Sequence, residues 1–261
     1  MKHTILPQKT LAVVLLIIVA TCSPIVAGDS VSSAEFTESH YLRLFTTGTN
    51  EGDLSYVWWD NIDVVGKGGP STSRQHRSGV HGFALPTLTD DVMEATYTLA
   101  KTGSNTDASN PGWDWSAQIY LFNPEINPRS YAAEHGVETV FWSDHEEDNR
   151  GLVRTIDLNA FNKNTPNGAL SFTLTDELLA GFYNENGTPA SEGGMIWFRV
   201  NPGEKEPNIF GTERLEIQSS IGQANSPTLS VTQIPEPRTY ALFGGIAALL
   251  LVVVRRQIRR S

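Results

Sequence analysis

Cysteine is almost absent from this chain of 261 residues, which contains only Cys22, in a hydrophobic amino-terminal stretch. If that stretch is removed downstream of Cys22, the rest of the chain has no thiol. Such a chain forms no disulfide, has no thiolate nucleophile and binds no metal through cysteine. The remaining residues are still numerous enough to bury a substantial core without cross-links.

Familiar catalytic motifs are also missing from the sequence. It contains no Gly-x-Ser-x-Gly elbow, phosphate-binding loop or dinucleotide fingerprint. The histidines have no zinc-binding spacing, and His76 and His81 flank a glycine in a predicted loop or strand start rather than on a helix face. Paired carboxylates that hydrolyse glycosidic bonds stay open as an alternative in so acidic a chain, although no pair stands out.

Basic residues are scarce between the two ends of the chain. The full sequence has 19 basic and 29 acidic residues and a net charge of −10. Without the two ends, residues 28–234 carry 12 basic and 28 acidic residues, a charge of −16. A charge this negative disfavours nucleic acid and anionic lipid as partners. It favours solubility and is compatible with divalent cations.

The amino terminus has the three-part layout of a secretory signal peptide. Two lysines precede an unbroken apolar stretch at 11–20, and a zone of small residues follows. We therefore expect residues 1–27 to be removed by cleavage after Ala27. A lipoprotein signal that uses Cys22 is the less favoured alternative, because the threonine directly before it fits the lipoprotein pattern poorly.

The carboxyl terminus, residues 234–261, combines three elements in order. The first is Pro235-Glu236-Pro237, whose prolines favour an extended, exposed backbone. The second is an apolar run at 240–254, which as a helix would extend ~22 Å, short of the ~30 Å hydrocarbon core of a bilayer. The third is a basic end that favours a cytoplasmic carboxyl terminus, made of Arg255, Arg256, Arg259 and Arg260.

These three elements together resemble the PEP-CTERM sorting tail of Gram-negative bacterial envelope proteins. The resemblance implies that an exosortase-like membrane enzyme recognises Pro235, Glu236 and Pro237 and cleaves the chain near them. It also implies a precursor anchored in the inner membrane by the transmembrane helix 240–254, and a mature protein at the cell surface or outside the cell. The alternative is an ordinary tail anchor, whose prolines merely end the preceding domain.

Residues 28–233 lack long segments of helical periodicity and instead alternate polar and apolar residues in short runs. We predict one all-β domain, a two-sheet, jelly-roll-like β-sandwich of about eight to ten short strands. The expected strands lie at 41–46, 55–59, 93–99, 117–121, 137–141, 152–158, 195–200 and 229–231. One short helix is predicted at 175–183 with Thr175 as N-cap, and long surface loops at 66–70 and 184–194.

Two segments of this domain share a layout with a known type of sandwich. Residues 77–99 read RSGVHGFALPTLTDDVMEATYTL, a strand, a Leu-Pro pair, a connector and a second strand. Residues 210–232 read FGTERLEIQSSIGQANSPTLSVT and end in Ser-Pro-Thr-Leu-x-Val. Together they resemble the DNRLRE-type jelly-roll modules of bacterial surface proteins. The resemblance implies a jelly roll and assigns no ligand.

Trp113 and Trp115 flank one aspartate, a spacing that places both rings on one face of a strand. If they are exposed, the rings form a platform for stacking on sugar rings. If they are buried, they belong to the core, as aromatic residues of sandwiches usually do. The proline and glycine just before them indicate a loop edge, and both alternatives stay open.

The acidic run at 144–148 is the densest group of potential metal ligands. Its alternate members Asp144, Glu146 and Asp148 form a weak candidate calcium loop, because calcium binds oxygen ligands. Five consecutive polar residues cannot all point inward, so a solvated turn is the favoured interpretation. Calcium aside, we expect no cofactor, and no residue is assigned a catalytic role.

Three functions follow from these features. The first is an exported, non-enzymatic protein of the cell envelope or extracellular matrix, because two targeting ends enclose a domain without catalytic motifs. The alternative is a carbohydrate-binding module for extracellular polysaccharide, which depends on the predicted sandwich and on Trp113 and Trp115. A secreted hydrolase that uses carboxylates is the third and least favoured.

Overall fold

The computed structural model of the chain describes residues 30–47, 54–60, 64–69, 73–89, 91–106, 115–141, 151–202 and 211–234, and the single residues 253, 255 and 256. The chain divides into two compact units. The larger unit spans Val31–Gln233, and the other contains both ends, Met1–Ser30 and Ile234–Ser261.

Most of the described residues lie in β-strands. The strands are β1 (Ser30–Thr47), β2 (Leu54–Asp60), β3 (Val64–Gly69), β4 (Ser73–Ala84), β5 (Asp91–Thr106), β6 (Ala117–Phe122), β7 (Val153–Phe161), β8 (Gly168–Thr175), β9 (Met195–Asn201), β10 (Gly211–Gln218) and β11 (Thr228–Ile234). The helices are α1 (Pro128–His135), α2 (Val137–Phe141) and α3 (Asp176–Leu179), and a 3-10 turn covers Glu192–Gly194.

These strands form one hydrogen-bonded path in the order β2-β1-β11-β5-β10-β3-β4-β9-β6-β7, with β8 added to β5. β1 also pairs with β4, so the path closes on itself. The described registers are antiparallel, and the prediction of an all-β fold is confirmed. β1 is 18 residues long and β5 is 16, and each pairs with different strands along its length. These two long strands therefore join the other strands into one continuous path.

The inner core is a cluster of apolar side chains between strands that are not neighbours in the path. The Tyr97 ring on β5 stacks on the Phe198 ring on β9, with centroids 4.1 Å apart. The two strands therefore face each other across the core, which is consistent with sandwich packing. The alternation predicted for β5 and β6 is confirmed, since their inward residues are at most 1% exposed: Ala95, Tyr97, Leu99, Ala117, Ile119 and Leu121.

An outer cluster covers the opposite face of β1, β4, β6 and β9. It contains Leu42, Val80, Phe122, Ala132, Val140 and Trp197, so β9 buries apolar side chains on both of its faces. The helices α1 and α2 pack over this face and shield the outer cluster from solvent. The α1 helix begins where the Asn127 side chain accepts hydrogen bonds from the backbone N–H groups of Arg129 and Ser130, with Pro128 in its first turn.

The prediction of a strand at 137–141 was wrong, because this segment is the helix α2. Val137 and Val140, three residues apart, both contact the outer cluster, a spacing that suits one face of a helix. The prediction of a loop at 66–70 was wrong for residues 66–69, which belong to β3. That strand pairs with β10 and β4, so backbone hydrogen bonds hold this glycine-rich segment in the sheet.

The predicted helix at 175–183 is shorter than expected. It covers Asp176–Leu179, and Thr175 precedes it in extended conformation without a capping hydrogen bond from its side chain. Gly181, with a φ of 86°, follows in the left-handed region and turns the chain away. The loop predicted at 184–194 is confirmed, apart from the 3-10 turn and one bridge between Tyr183 and Pro189.

Both predicted targeting ends lie almost wholly outside the described residues. The signal segment 1–27 is outside them, and of the predicted transmembrane helix 240–254 only Val253 is described, in helical conformation. Within the described parts of the chain, no helix has both the length and the apolar character needed to cross a bilayer.

A buried polar pair links β4 to β5 inside the core. His81 Nδ1 and the Tyr97 hydroxyl are 2.6 Å apart, and neither residue is exposed. Burial, with a smaller contribution from the nearby His40, lowers the pKa of His81 from 6.5 to about 3. The imidazole is therefore neutral in the folded protein over the whole range in which a solvated histidine titrates.

Acidification should consequently weaken the fold through His81. The unfolded chain takes up a proton at His81 below pH 6.5 and the folded chain does not, so stability is present above that pH and falls towards pH 3. Between pH 7 and pH 5 we expect a loss of about 2 kcal/mol from this group. Denaturant midpoints at both pH values should show a smaller difference for His81→Gln than for the unaltered chain. Equal differences would contradict the assignment.

Two glycines allow a matched test of how the 184–194 loop is held. Gly187 has a φ of 75°, and a Cβ added there would lie 2.4 Å from the Leu88 carbonyl oxygen. Gly222 has a φ of 74°, and nothing lies within 4 Å of an added Cβ. We expect Gly222→Ala to cost about 1–2 kcal/mol and Gly187→Ala at least about 1 kcal/mol more. Equal melting temperatures for the two variants would contradict the close approach to Leu88.

Candidate functional site

A depression of about 520 Å³ opens where β7, β8 and α3 meet. Its volume lies within the range of about 300–1,000 Å³ typical of small-molecule sites. The described residues that line it are Arg154, Thr155, Thr175, Glu177 and Leu178. Thr155, Thr175 and Glu177 are exposed, so the depression is open to a ligand from solution.

Arg154 is held rigidly in the wall of this depression. Its Nη1 donates to the carbonyl oxygens of Leu178, Ala180 and Glu177, at 2.8, 3.0 and 3.3 Å. Its Nε donates to Asn123 Oδ1 at 2.8 Å. The guanidinium thus satisfies carbonyl groups in and just after α3 and fixes that helix beside β7.

The wall combines one positive and one negative side chain with two hydroxyls. Arg154 and Glu177 balance each other in charge, and the threonines both donate and accept hydrogen bonds. Leu178 adds an apolar surface. This combination suits a small, polar, uncharged group that also has an apolar face.

Metal binding requires a cluster of ligand side chains, and glycoside hydrolysis requires paired carboxylates. The described part of the chain contains no group of three or more His, Asp, Glu or Cys side chains that could hold a metal ion. Glu177 is the one carboxylate in the described lining of the depression. Glycoside hydrolysis ordinarily requires two.

One outward sheet surface continues from the depression along β8, β5 and β11. We call it the hydroxyl face, because its outward side chains are mostly serine and threonine. Its hydroxyl-bearing members are Thr96, Thr98, Ser171, Thr173, Thr175, Thr228, Ser230 and Thr232, all exposed or half-buried. Among the outward side chains that the structure describes on these three strands, Glu94 is the charged one.

The strand registers align these hydroxyls. Thr96 lies opposite Thr173 and Thr98 opposite Ser171, and the last two hydroxyls are hydrogen-bonded at 2.8 Å. On β11, Leu229 and Val231 point into the inner core, so the residues between and beside them face outward. Strand geometry spaces such positions ~4.8 Å apart across strands and ~6.8 Å along them.

A row of five residues, four of them polar, crosses β7, β6, β9, β4 and β1 on the face that bears the outer cluster. The registers place Thr155, Tyr120, Arg199, Val80 and His40 side by side. Thr155 is exposed at the rim of the depression, but the other four are at most 6% exposed. Their burial gives them a role in the sheet rather than in direct ligand contact.

The contacts within this row fit that structural role. Arg199 Nε donates to the Ser78 hydroxyl at 3.1 Å, and that hydroxyl donates to the Val200 carbonyl at 3.0 Å. The Tyr120 hydroxyl donates to Gln118 Oε1 at 2.5 Å. Buried polar groups of this kind persist when they are hydrogen-bonded. Here the bonds of Ser78 tie β4 to β9, and the bond of Tyr120 lies within β6.

Of the two predicted tryptophans, Trp115 lies among the described residues and Trp113 does not. Trp115 is half-buried directly before β6, and its ring packs against the inner core. Trp113 lies outside the described residues, so a stacking platform that uses both rings stays a prediction.

The other predicted site residues lie mainly in parts of the chain that are not described. These are the calcium candidates Asp144, Glu146 and Asp148, the cleavage residue Ala27, and Pro235, Glu236, Pro237, Arg259 and Arg260 of the tail. Arg255 and Arg256 are described as helical and exposed.

Sequence reasoning missed the depression. Arg154 and Thr175 were assigned to a strand and to a helix cap, and their proximity depends on how α3 packs beside β7. The hydroxyl face did leave a signal, since Thr-Tyr-Thr at 96–98, Ser-Phe-Thr-Leu-Thr at 171–175 and Thr-Leu-Ser-Val-Thr at 228–232 share one alternation.

Comparison with known proteins adds a structural likeness. No protein-family model matches the chain, and no curated protein matches it. Among solved structures, the fold is similar to the xylan-binding module CBM15, with a TM-score of 0.33 and 11% sequence identity. That alignment covers 80% of this chain and 99% of the other.

Proposed function

We propose that the chain is an exported, non-enzymatic module that binds a neutral polysaccharide through the depression between β7, β8 and α3. The observation that carries this proposal is the charge-balanced wall of Arg154 and Glu177 with two exposed threonine hydroxyls. In this proposal the antiparallel layers form a jelly-roll-like sandwich whose loops and helices shape the binding site.

The chemistry of the wall matches a sugar unit. A sugar carries no net charge and presents several hydroxyls, each able to donate and accept a hydrogen bond. Arg154 donates, Glu177 accepts and the threonines do both, while Leu178 offers an apolar surface to the C–H face of the ring. Four hydrogen bonds hold Arg154 in place, which lowers the entropy lost on binding.

Binding is favoured over hydrolysis because the described lining provides Glu177 without a second carboxylate. An acid and a base, or an acid and a nucleophile, must flank a glycosidic bond for its cleavage. The module therefore binds its polysaccharide and leaves it intact. Its role is to attach to polysaccharide within an extracellular matrix or at the cell surface.

Export and sorting belong to the same proposal. The signal segment 1–27 directs the chain out of the cytoplasm, and the tail at 234–261 delivers it to an exosortase-like enzyme. The precursor is held in the inner membrane by 240–254, and cleavage near Pro235, Glu236 and Pro237 releases the domain to the surface or the surroundings.

Removal of the Glu177 carboxylate should weaken polysaccharide binding about tenfold. A hydrogen bond to a charged group contributes about 1.5–3 kcal/mol, and part of this is recovered through water. Affinity electrophoresis of the full chain in gels with hydroxyethylcellulose, arabinoxylan or galactomannan measures the effect. Glu134→Ala, which removes an exposed carboxylate from α1, is the matched control and should bind normally.

Two outcomes of these gels would count against the site. Equal retardation of Glu177→Ala and Glu134→Ala would remove the depression from the proposal. Loss of retardation in Trp113→Ala and Trp115→Ala alone would move the site to the tryptophans. Free migration of the unaltered chain in every gel would reject polysaccharide binding as the function.

The intact mass of the mature protein from its native host tests export and sorting. We expect an amino terminus near residue 28 and a carboxyl terminus near Pro235, Glu236 and Pro237. A variant with alanine at these three positions should keep its tail. A full-length mass, or a mature chain recovered from the cytoplasm, would contradict the sorting proposal.

A further inference from the structure

We propose that the hydroxyl face extends the depression into one continuous binding surface for a long, neutral, hydroxyl-rich polymer chain. This inference rests on the function proposed above and specifies the form of the ligand. The depression holds one or a few sugar units, and the hydroxyl face binds the units that follow along the same chain.

The depression and the hydroxyl face share a residue. Thr175 lines the depression and is also the last outward residue of β8. Ser171 and Thr173 continue from it along the same exposed edge strand, and β5 lies beside them. A polymer leaving the depression along β8 therefore meets hydroxyl groups at every outward position to Ser171.

Threonine is common on exposed strands because its branched side chain favours the β conformation. That preference does not explain why three adjacent strands avoid charge in so acidic a chain. The next strand shows the usual alternative, since the outward residues of β10 include Arg214 and Glu216, paired at 3.1 Å. The charged pair on β10 marks the boundary of the hydroxyl face.

Charge selects the kind of polymer. Eight hydroxyls and one carboxylate, Glu94, make up the polar groups of the hydroxyl face, and the whole chain carries −10. An anionic polysaccharide would be repelled by Glu94, by Glu177 and by the net charge. A neutral polysaccharide meets no such barrier, and its hydroxyls match serine and threonine as both donors and acceptors.

Each hydroxyl contributes little by itself, because a sugar hydroxyl replaces water of similar hydrogen-bonding strength. The contribution grows when many units of one chain bind to side chains that the strands already hold in order. Affinity should therefore rise with the number of sugar units beyond those that fill the depression.

Calorimetry on the full chain tests this dependence on length. The ligands are the trisaccharide of the polymer that retards the protein most in the gels, and that polymer itself: hydroxyethylcellulose with cellotriose, arabinoxylan with xylotriose, or galactomannan with mannotriose. Thr173→Lys blocks the hydroxyl face with a long charged side chain, and Thr173→Val removes only the hydroxyl. Asn159→Lys, on the exposed edge strand β7, adds the same charge elsewhere.

We expect Thr173→Lys to lower polymer affinity about tenfold and Thr173→Val about threefold, with trisaccharide affinity unchanged in both. Asn159→Lys should bind both ligands normally. Polymer affinity of Thr173→Lys equal to that of Asn159→Lys would overturn the inference and leave the depression intact. A polymer that binds the unaltered chain no better than its trisaccharide would overturn it too.

Other results separate this inference from the function on which it rests. If the unaltered chain binds neither the polymers nor the trisaccharides, both proposals fail. If Thr173→Lys changes the oligomeric state seen by sedimentation instead of polymer affinity, the hydroxyl face contacts a second copy of the chain, and the inference is wrong. Tighter binding to the anionic polymer alginate than to the neutral polymers would also overturn it.

Discussion

The position of Tyr97 in the inner core is the constraint on which the rest of the structure depends. Its ring stacks on Phe198 of β9, and its hydroxyl is hydrogen-bonded to His81 of β4. One side chain of β5 therefore joins two strands of the facing layer. Because successive side chains of a strand point to opposite faces, an inward Tyr97 also fixes the direction of the other side chains of β5. A register shift of one residue would expose the whole inward set.

Both outward surfaces follow from that constraint. With Tyr97 directed inward, its neighbours Thr96 and Thr98 must face solvent, where β8 adds hydroxyls in register and the neighbouring β11 adds further ones. On the opposite layer, inward Phe198 directs Trp197 and Arg199 away from the inner core, beneath the cover that includes α1 and α2. One surface is left open and rich in hydroxyls, and the other is buried and linked by hydrogen bonds.

The strands were predicted well where alternation and burial agree, as at 93–99, 117–121 and 195–200. The errors arose where local residue preferences and tertiary packing disagree. A run of Val, Thr and Phe at 137–141 favours a strand, yet it directly follows α1, and its valines reach the outer cluster only as a helix. Glycines at 66–69 favour a loop, yet hydrogen bonds from two neighbouring strands hold them extended. Partners distant in sequence decided both cases.

The sequence by itself determined the all-β class, the inward and outward alternation of the strands, the scarcity of cysteine and the strong negative charge, because these depend on composition and on a period of two residues. It also predicts signals at both ends, because such signals are linear segments. Tertiary structure alone decided which strands became neighbours, where α3 came to rest against Arg154, and which polar side chains stayed exposed. Those properties depend on long-range packing, and they place Thr155, Thr175 and Glu177 around one depression.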